Sequence, residues 1–98
     1  MKYVIKLTDP QYSDKYNYCI KDCIPVFGKH EFFSEDCCFD TVQEAETHIQ
    51  TMLDSGWYRP DITEANFEIV EVNQYQGLAF GMFYYTKKGY EEFKEYER

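Results

Sequence analysis

Alternating apolar and polar side chains predict a β-strand at the start of the chain. In KYVIKL (residues 2–7), one face carries Tyr3, Ile5 and Leu7, and the other carries Lys2, Val4 and Lys6. Successive side chains of a strand point to opposite faces, so this pattern is typical of a strand with one buried face. The polar stretch TDPQYSDK that follows predicts a loop because it contains Pro10.

A second strand is predicted within YNYCIKDCIPVF (residues 16–27), which is rich in aromatic and β-branched residues. The strand should end before Pro25, since proline has no N–H for a central ladder. Gly28 marks a turn. The stretch HEFFSEDCCF (residues 30–39) is ambiguous and leaves room for a short edge strand.

The clearest local pattern is a helix that begins near Thr41. Asp40 or Thr41 can cap it, and Thr41 with Glu44 matches a capping box. Gly56 is a plausible stop, and Trp57 should anchor the loop that follows. The helical spacing gives one apolar stripe, formed by Val42, Ala45, Ile49, Met52 and Leu53.

Two strands and a helix are predicted in the second half. In NFEIVEV (residues 66–72) the apolar side switches after Ile69, which indicates either a bulge or a strand covered on both faces. LAFGMFYY (residues 78–85) is an apolar run of strand length. Thr86 can cap a last helix with Tyr90 and Phe93 on its inner face, although Gly89 weakens its first turn.

These elements predict one α+β domain over residues 1–98. The order is ββαββα, with a small, mostly antiparallel sheet of about four strands and both helices on one face. The last two strands should pair as a hairpin, because only a short turn separates them.

Charge narrows the choice of partner. The chain has 18 acidic residues against 10 basic ones, a formal net charge of −8. It should repel nucleic acids, whose binding requires cations that neutralise phosphates, and anionic membrane surfaces. A basic protein surface would attract it. The alternative explanation of the charge is solubility alone.

The chain is expected to be cytoplasmic. MKYVIKLTDP does not resemble a signal peptide, and no apolar stretch has the ~20 residues that a membrane helix needs. Cytoplasmic thiols are normally reduced, so the four cysteines are not expected to form disulfides.

The cysteines offer one candidate metal site. Cys19 and Cys23 form a C-x₃-C, and zinc could be completed by His30 and either Cys37 or Cys38. On one strand, however, Cys19 and Cys23 would lie about 13 Å apart. Ordinary packing is favoured, with at most one of Cys37 and Cys38 facing the core. A thiol there, close to a helix start, would have a lowered pKa if exposed.

Enzyme signatures are missing from the sequence. It contains no H-E-x-x-H, G-x-S-x-G, P-loop or G-x-G-x-x-G motif. His30 and His48 are the histidines available to activate a cysteine, and His48 is interpreted as a helix-surface residue. We therefore expect a protein that is not an enzyme, with no cofactor and no metal.

Acidic clusters and tyrosines are the candidate binding residues. One cluster precedes and begins the first helix and continues with Glu44 and Glu46, and another lies on the final helix. A third is formed by Asp61, Glu64, Glu68 and Glu71. Carboxylates on a rigid surface can imitate phosphates toward a basic groove, and tyrosines are common at interfaces. The candidates for partner binding are Glu31, Glu35, Asp36, Glu91, Glu92 and Glu95, with Tyr84 and Tyr85 as anchors.

In size, acidity and the segments KYVIKL, FDTVQEAETHIQTML and NFEIVEV, the chain resembles small acidic proteins of phages and mobile elements, including anti-CRISPR inhibitors. The resemblance implies an inhibitor that mimics DNA and occupies a basic or PAM-reading surface of a CRISPR effector nuclease. A homodimeric adaptor, suggested by LAFGMFYY, is the second hypothesis. A Cys-dependent metal-binding regulator is the third.

Overall fold

The computed structural model describes residues 1–11, 17–19, 26–27, 32–75 and 83–96. Its strands are β1 (Lys2–Leu7), β2 (Asn17–Cys19), β3 (Val26–Phe27), β4 (Phe32–Phe33), β5 (Phe67–Val72) and β6 (Tyr84–Tyr85). Its α-helices are α1 (Val42–Asp54) and α2 (Lys87–Tyr96). Two short 3₁₀ helices cover Glu35–Cys37 and Glu64–Asn66.

The strands form two antiparallel sheets. A four-stranded sheet has the order β3-β2-β1-β5, and β4 pairs with β6 in a two-stranded sheet. β1 is central, and its register with β5 runs without a break from Lys2 opposite Val72 to Leu7 opposite Phe67. This continuous register excludes a bulge in β5, so the strand covered on both faces is the correct alternative.

The α+β class, the antiparallel pairing and the two helices are confirmed. The strand arrangement differs from the prediction, because the described residues contain six short strands in two sheets rather than about four in one. Of the predicted hairpin between the last two strands, the described residues show one antiparallel bridge, from Asn73 just after β5 to Tyr85 of β6. Residues 78–82 of the second predicted strand lie outside them. β6 also pairs with β4, the edge strand suspected near Phe32.

The core lies on both sides of β1. On one face Ile5 and Leu7 pack with Ala45 and Ile49 of α1. On the other, Val4 packs with Val72 and with residues of β4 and β6. The prediction of a single buried face for β1 is therefore wrong at Val4, which is fully buried. The two helices also do not share one face, because α1 covers the first cluster and α2 packs against β6.

α1 begins and ends as its sequence predicts. The Thr41 side chain accepts a hydrogen bond of 3.1 Å from the Glu44 N–H, and Gly56 closes the helix with a positive φ of 71°. That φ favours glycine, since other residues are strained in the left-handed region. Ala45 and Ile49 are buried as predicted, whereas Val42, at the exposed first turn, is 40% accessible and does not join the core.

The Thr41 cap gives a direct test of this helix start. Replacing Thr41 by Ala removes the acceptor for the Glu44 N–H, and we expect the free energy of unfolding to fall by about 1 kcal/mol. Thr41→Ser keeps the hydroxyl and should stay close to the wild type. Urea unfolding followed by circular dichroism measures both variants, and an equal loss in the two would show that the hydroxyl contributes nothing.

α2 follows directly from β6. The Gly89 N–H donates to the Thr86 Oγ1 at 3.0 Å, which confirms Thr86 as the cap. The Tyr90 ring stacks on Tyr75 with centroids 3.9 Å apart, so the inward orientation predicted for Tyr90 is confirmed. Within the described residues, neither helix has the length and apolar character needed to cross a membrane.

Candidate functional site

Negative charge is concentrated on one segment of the chain. Residues 34–56, which contain the first 3₁₀ helix and α1, include six acidic residues and no Lys or Arg. The other 75 residues carry the remaining 12 acidic residues against all 10 basic ones. This segment therefore accounts for −6 of the net charge of −8. We call its exposed carboxylates the acidic face: Glu35, Asp36, Asp40, Glu44, Glu46 and Asp54.

The packing of α1 explains why these carboxylates face solvent. Ala45 and Ile49 point into the core, so the positions beside them on the helix turn outward. Glu44, Glu46 and Asp54 are exposed. Glu44 lies in the first turn, where a negative charge is favourable, whereas Asp54 lies in the last turn, where it is not.

Lys2 neutralises part of the acidic face. Its Nζ forms ion pairs with Asp40 and, at 3.7 Å, with Glu35. The hydrogen bond from the ammonium group to Asp40 raises the pKa of Lys2, so this lysine stays charged. No such ion pair exists for Asp36, Glu44, Glu46 or Asp54 within the described residues, and these carboxylates carry the uncompensated charge.

A shallow depression adjoins the same helix. It encloses about 760 Å³, is open to solvent, and is lined by Phe39, Thr41, Gln43, Glu44, Thr47, His48 and Thr51. His48 is half-buried, and its ring centroid lies 5.1 Å from that of Phe39. The Thr51 hydroxyl donates to the Thr47 carbonyl at 3.0 Å, so it is already used within the helix. The lining is mostly neutral and hydrogen-bonding, which suits a polar contact surface beside the carboxylates.

The carboxylates predicted on the final helix are in a different electrostatic setting. Glu91, Glu92 and Glu95 are exposed, as a contact role requires. The same helix also contains Lys87, Lys88 and Lys94, which balance them to zero formal charge. α2 is therefore a weaker attractor of a basic surface than α1. Glu31, the remaining predicted carboxylate, lies outside the described residues.

Tyr84 and Tyr85 do not occupy the exposed positions that partner anchors need. Tyr84 packs with Val4 and Val72, and Tyr85 is fully buried. The reason is the pairing of β6 with β4, which encloses both side chains in the domain's own core. Their role as partner anchors therefore stays a prediction, which these buried positions do not favour.

Only one of the two adjacent cysteines faces the core, as predicted. Cys38 is buried and its thiol donates to the Ser34 carbonyl at 3.4 Å, whereas Cys37 is half-buried and accepts from the Ser34 hydroxyl at 3.3 Å. Within the described residues no three His, Cys, Asp or Glu side chains are placed to hold a metal. The side chains of Cys19, Cys23 and His30 fall outside those residues.

Burial gives Cys38 a measurable pH dependence. Loss of solvent raises the pKa of its thiol from the usual 9.0 to about 11. The neutral thiol is favoured in the folded state, so its contribution to stability is complete below pH 9 and is lost as pH rises toward 11.

We therefore expect wild type to lose about 2 kcal/mol of unfolding free energy between pH 9 and 11 that a Cys38→Ala variant does not lose. The comparison between the two proteins removes the shared contribution of tyrosine titration. Urea unfolding at each pH measures the difference, and parallel pH profiles would contradict it.

Trp57 is the exposed residue that sequence reasoning placed wrongly. It was expected to anchor a loop, yet it is 63% exposed, although tryptophan is usually well buried. Its ring lies edge-on to Tyr58, with centroids 5.2 Å apart. The sequence did contain a warning of this exposure. Trp57 follows Gly56, which ends the helix, so the helical spacing that predicts burial does not extend to it.

An ion-pair network lies beside Trp57. The Arg59 guanidinium donates to Asp9 at 2.5 Å and to Asp61 at 3.0 Å. These hydrogen bonds hold the pKa values of both carboxyls below their usual range and raise the pKa of Arg59. Two carboxylates surround one guanidinium, so the network is negative overall.

Comparison with protein-family models, curated proteins and solved structures finds no match to this chain. The resemblance to anti-CRISPR inhibitors therefore stays a prediction, and the exposure and charge of the acidic face are the observations that bear on function.

Proposed function

We propose that this protein binds a basic protein surface through the acidic face and inhibits a nucleic-acid-handling system by doing so. The proposed class is an anti-CRISPR inhibitor that acts in the cytoplasm and occupies the DNA- or RNA-binding groove, or the PAM-reading surface, of a CRISPR effector nuclease. It acts as a DNA mimic by occlusion, without catalysis or a cofactor.

The observation that carries the proposal is the segregation of charge. Six carboxylates and no Lys or Arg lie between residues 34 and 56: two on a 3₁₀ helix, Asp40 in the link that follows it, and three on an α-helix that packs on the core. An element whose exposed carboxylates outnumber the cations paired with them creates a net negative field. Such a field speeds encounter with a basic groove and competes there with phosphates.

An affinity pull-down tests the proposal. The tagged protein is incubated with lysate from cells that carry a CRISPR nuclease, and retained proteins are identified by mass spectrometry. We expect an effector nuclease to be retained at low salt and released as salt rises, since screening weakens exposed charge pairs. Addition of guide RNA and target DNA should also release it.

Retention of proteins with no nucleic-acid-binding groove would contradict the proposal. So would retention that neither salt nor nucleic acid changes.

The two other hypotheses receive less support from the described residues. The apolar run behind the homodimer lies largely outside them, and its described end, Phe83–Tyr85, packs within the chain's own two-stranded sheet. The thiols of Cys37 and Cys38 make hydrogen bonds to Ser34 rather than converging with other candidate ligands. The described residues therefore favour the acidic inhibitor over both alternatives.

A further inference from the structure

Trp57 is the largest exposed apolar side chain among the described residues, and the chain contains no other tryptophan. It lies directly beyond α1, at the end of the acidic face that contains Asp54. A tryptophan that is 63% exposed loses the stabilisation that burial of its ring would supply. Tryptophan is also among the residues most often found at the energetic centre of protein interfaces.

The indole is held in place by the residues around it. The backbone N–H of Trp57 donates to the Ser55 Oγ at 3.3 Å, which fixes the turn that carries the indole. Tyr58, on which the indole rests, packs edge-on against Phe67 with centroids 5.7 Å apart and donates its hydroxyl to the Met52 Sδ at 3.6 Å. An exposed ring on a fixed aromatic base binds with little loss of conformational entropy.

The surroundings of the indole favour a cation. Asp54 lies three residues before it and is exposed. The Arg59 guanidinium, the nearest positive charge along the chain, is already held between Asp9 and Asp61. The face of an indole attracts a guanidinium or ammonium group, and tryptophan is the strongest of the aromatic residues in this contact.

We propose that Trp57 is the aromatic anchor of the acidic face and that its ring stacks on an arginine of a basic partner surface, with Asp54 beside it to pair with the same guanidinium. This inference rests on the proposed function, because that function supplies the basic partner. The inference adds one residue that is not a carboxylate. It also predicts that the partner contributes arginine and not lysine, because the planar group of arginine stacks on aromatic rings.

A hexa-arginine peptide is the probe for this contact. It is titrated into the protein at low ionic strength, with binding followed by calorimetry and, separately, by tryptophan emission. Because Trp57 is the chain's only tryptophan, the emission reports this side chain alone. We expect the emission to change along the binding curve, and charge-matched hexalysine to produce a smaller change.

Trp57→Ala should raise the Kd for hexa-arginine roughly fivefold. Val42→Ala is the matched control, since Val42 is also exposed, at the opposite end of α1, and its truncation should leave Kd within about twofold. Circular dichroism confirms that both variants are folded.

The outcomes separate this inference from the proposed function. If hexa-arginine binds without changing the emission, and Trp57→Ala leaves the Kd unchanged, Trp57 is not an anchor. The proposed role of the acidic face is then unaffected. An equal emission change with hexalysine overturns the preference for arginine. Emission that depends on protein concentration, together with a dimer in light scattering, assigns Trp57 to contact with a second copy and also overturns the inference. Failure to bind either peptide removes both the anchor and the proposed function.

Discussion

Replacing Tyr85 by Ala is expected to lower the free energy of unfolding by about 3–5 kcal/mol. Tyr85 is fully buried, and its backbone exchanges two hydrogen bonds with Asn73, at 2.8 and 3.0 Å. Its ring contacts Phe32 and Tyr75, with centroids 6.1 and 6.4 Å apart. The ring therefore lies between Phe32 of β4 and Tyr75, which in turn stacks on Tyr90 of α2. Its removal leaves a cavity at this junction.

Such a loss is a large share of the roughly 5–15 kcal/mol by which domains are stable. Urea unfolding followed by far-ultraviolet circular dichroism measures it. Tyr85→Phe keeps the ring and should retain most of the stability, and Glu92→Ala, on the exposed side of α2, should stay within about 0.5 kcal/mol of the wild type. A Tyr85→Ala protein of normal stability that fails to bind its partner would restore the interface role that the sequence suggested.

Reversing the charge of Asp36, Glu44 and Glu46 to lysine is expected to weaken binding to the basic partner on the order of a hundredfold, mainly through slower association. These three carboxylates are exposed and form no ion pair within the described residues, so no native contact of that kind is lost. The net charge changes from −8 to −2. Association rates by surface plasmon resonance at several salt concentrations measure the effect.

The matched control changes the charge by the same amount on the other helix. Glu91, Glu92 and Glu95 become lysine in a helix where lysines already balance them, and we expect a clearly smaller loss of association rate. Equal losses in the two triple variants would show that only total charge matters and that the acidic face is not the contact. Circular dichroism must show that both proteins remain folded.

Local patterns along the chain were enough to predict several elements. β1, β5 and α1 each carry their own periodicity, and Thr41, Gly56 and Thr86 mark helix ends through hydrogen bonds and backbone angles that involve near neighbours. These signals need no knowledge of the rest of the molecule. The exposed carboxylates of α1 follow from the same pattern, since burial of Ala45 and Ile49 turns Glu44 and Glu46 outward.

Features that depend on distant residues could not be read in this way. Tyr84 and Tyr85 looked suitable for an interface because nothing near them in sequence shows that β4 covers them. Val4 shared a predicted polar face with two lysines, and its burial requires Val72 and Phe33 from other strands. The pairing of Arg59 with Asp9 joins residues 50 positions apart. Exposure of Trp57 likewise depends on how the chain leaves α1.

The central position of β1 has a consequence for how the protein is made. Its long partner β5 lies some 60 residues further along the chain, so most of this ladder consists of contacts between distant residues. Folding rates fall as such contacts increase, because a long loop must close before they form. During synthesis β1 therefore leaves the ribosome well before β5 exists, and completion of the sheet waits for the second half of the chain.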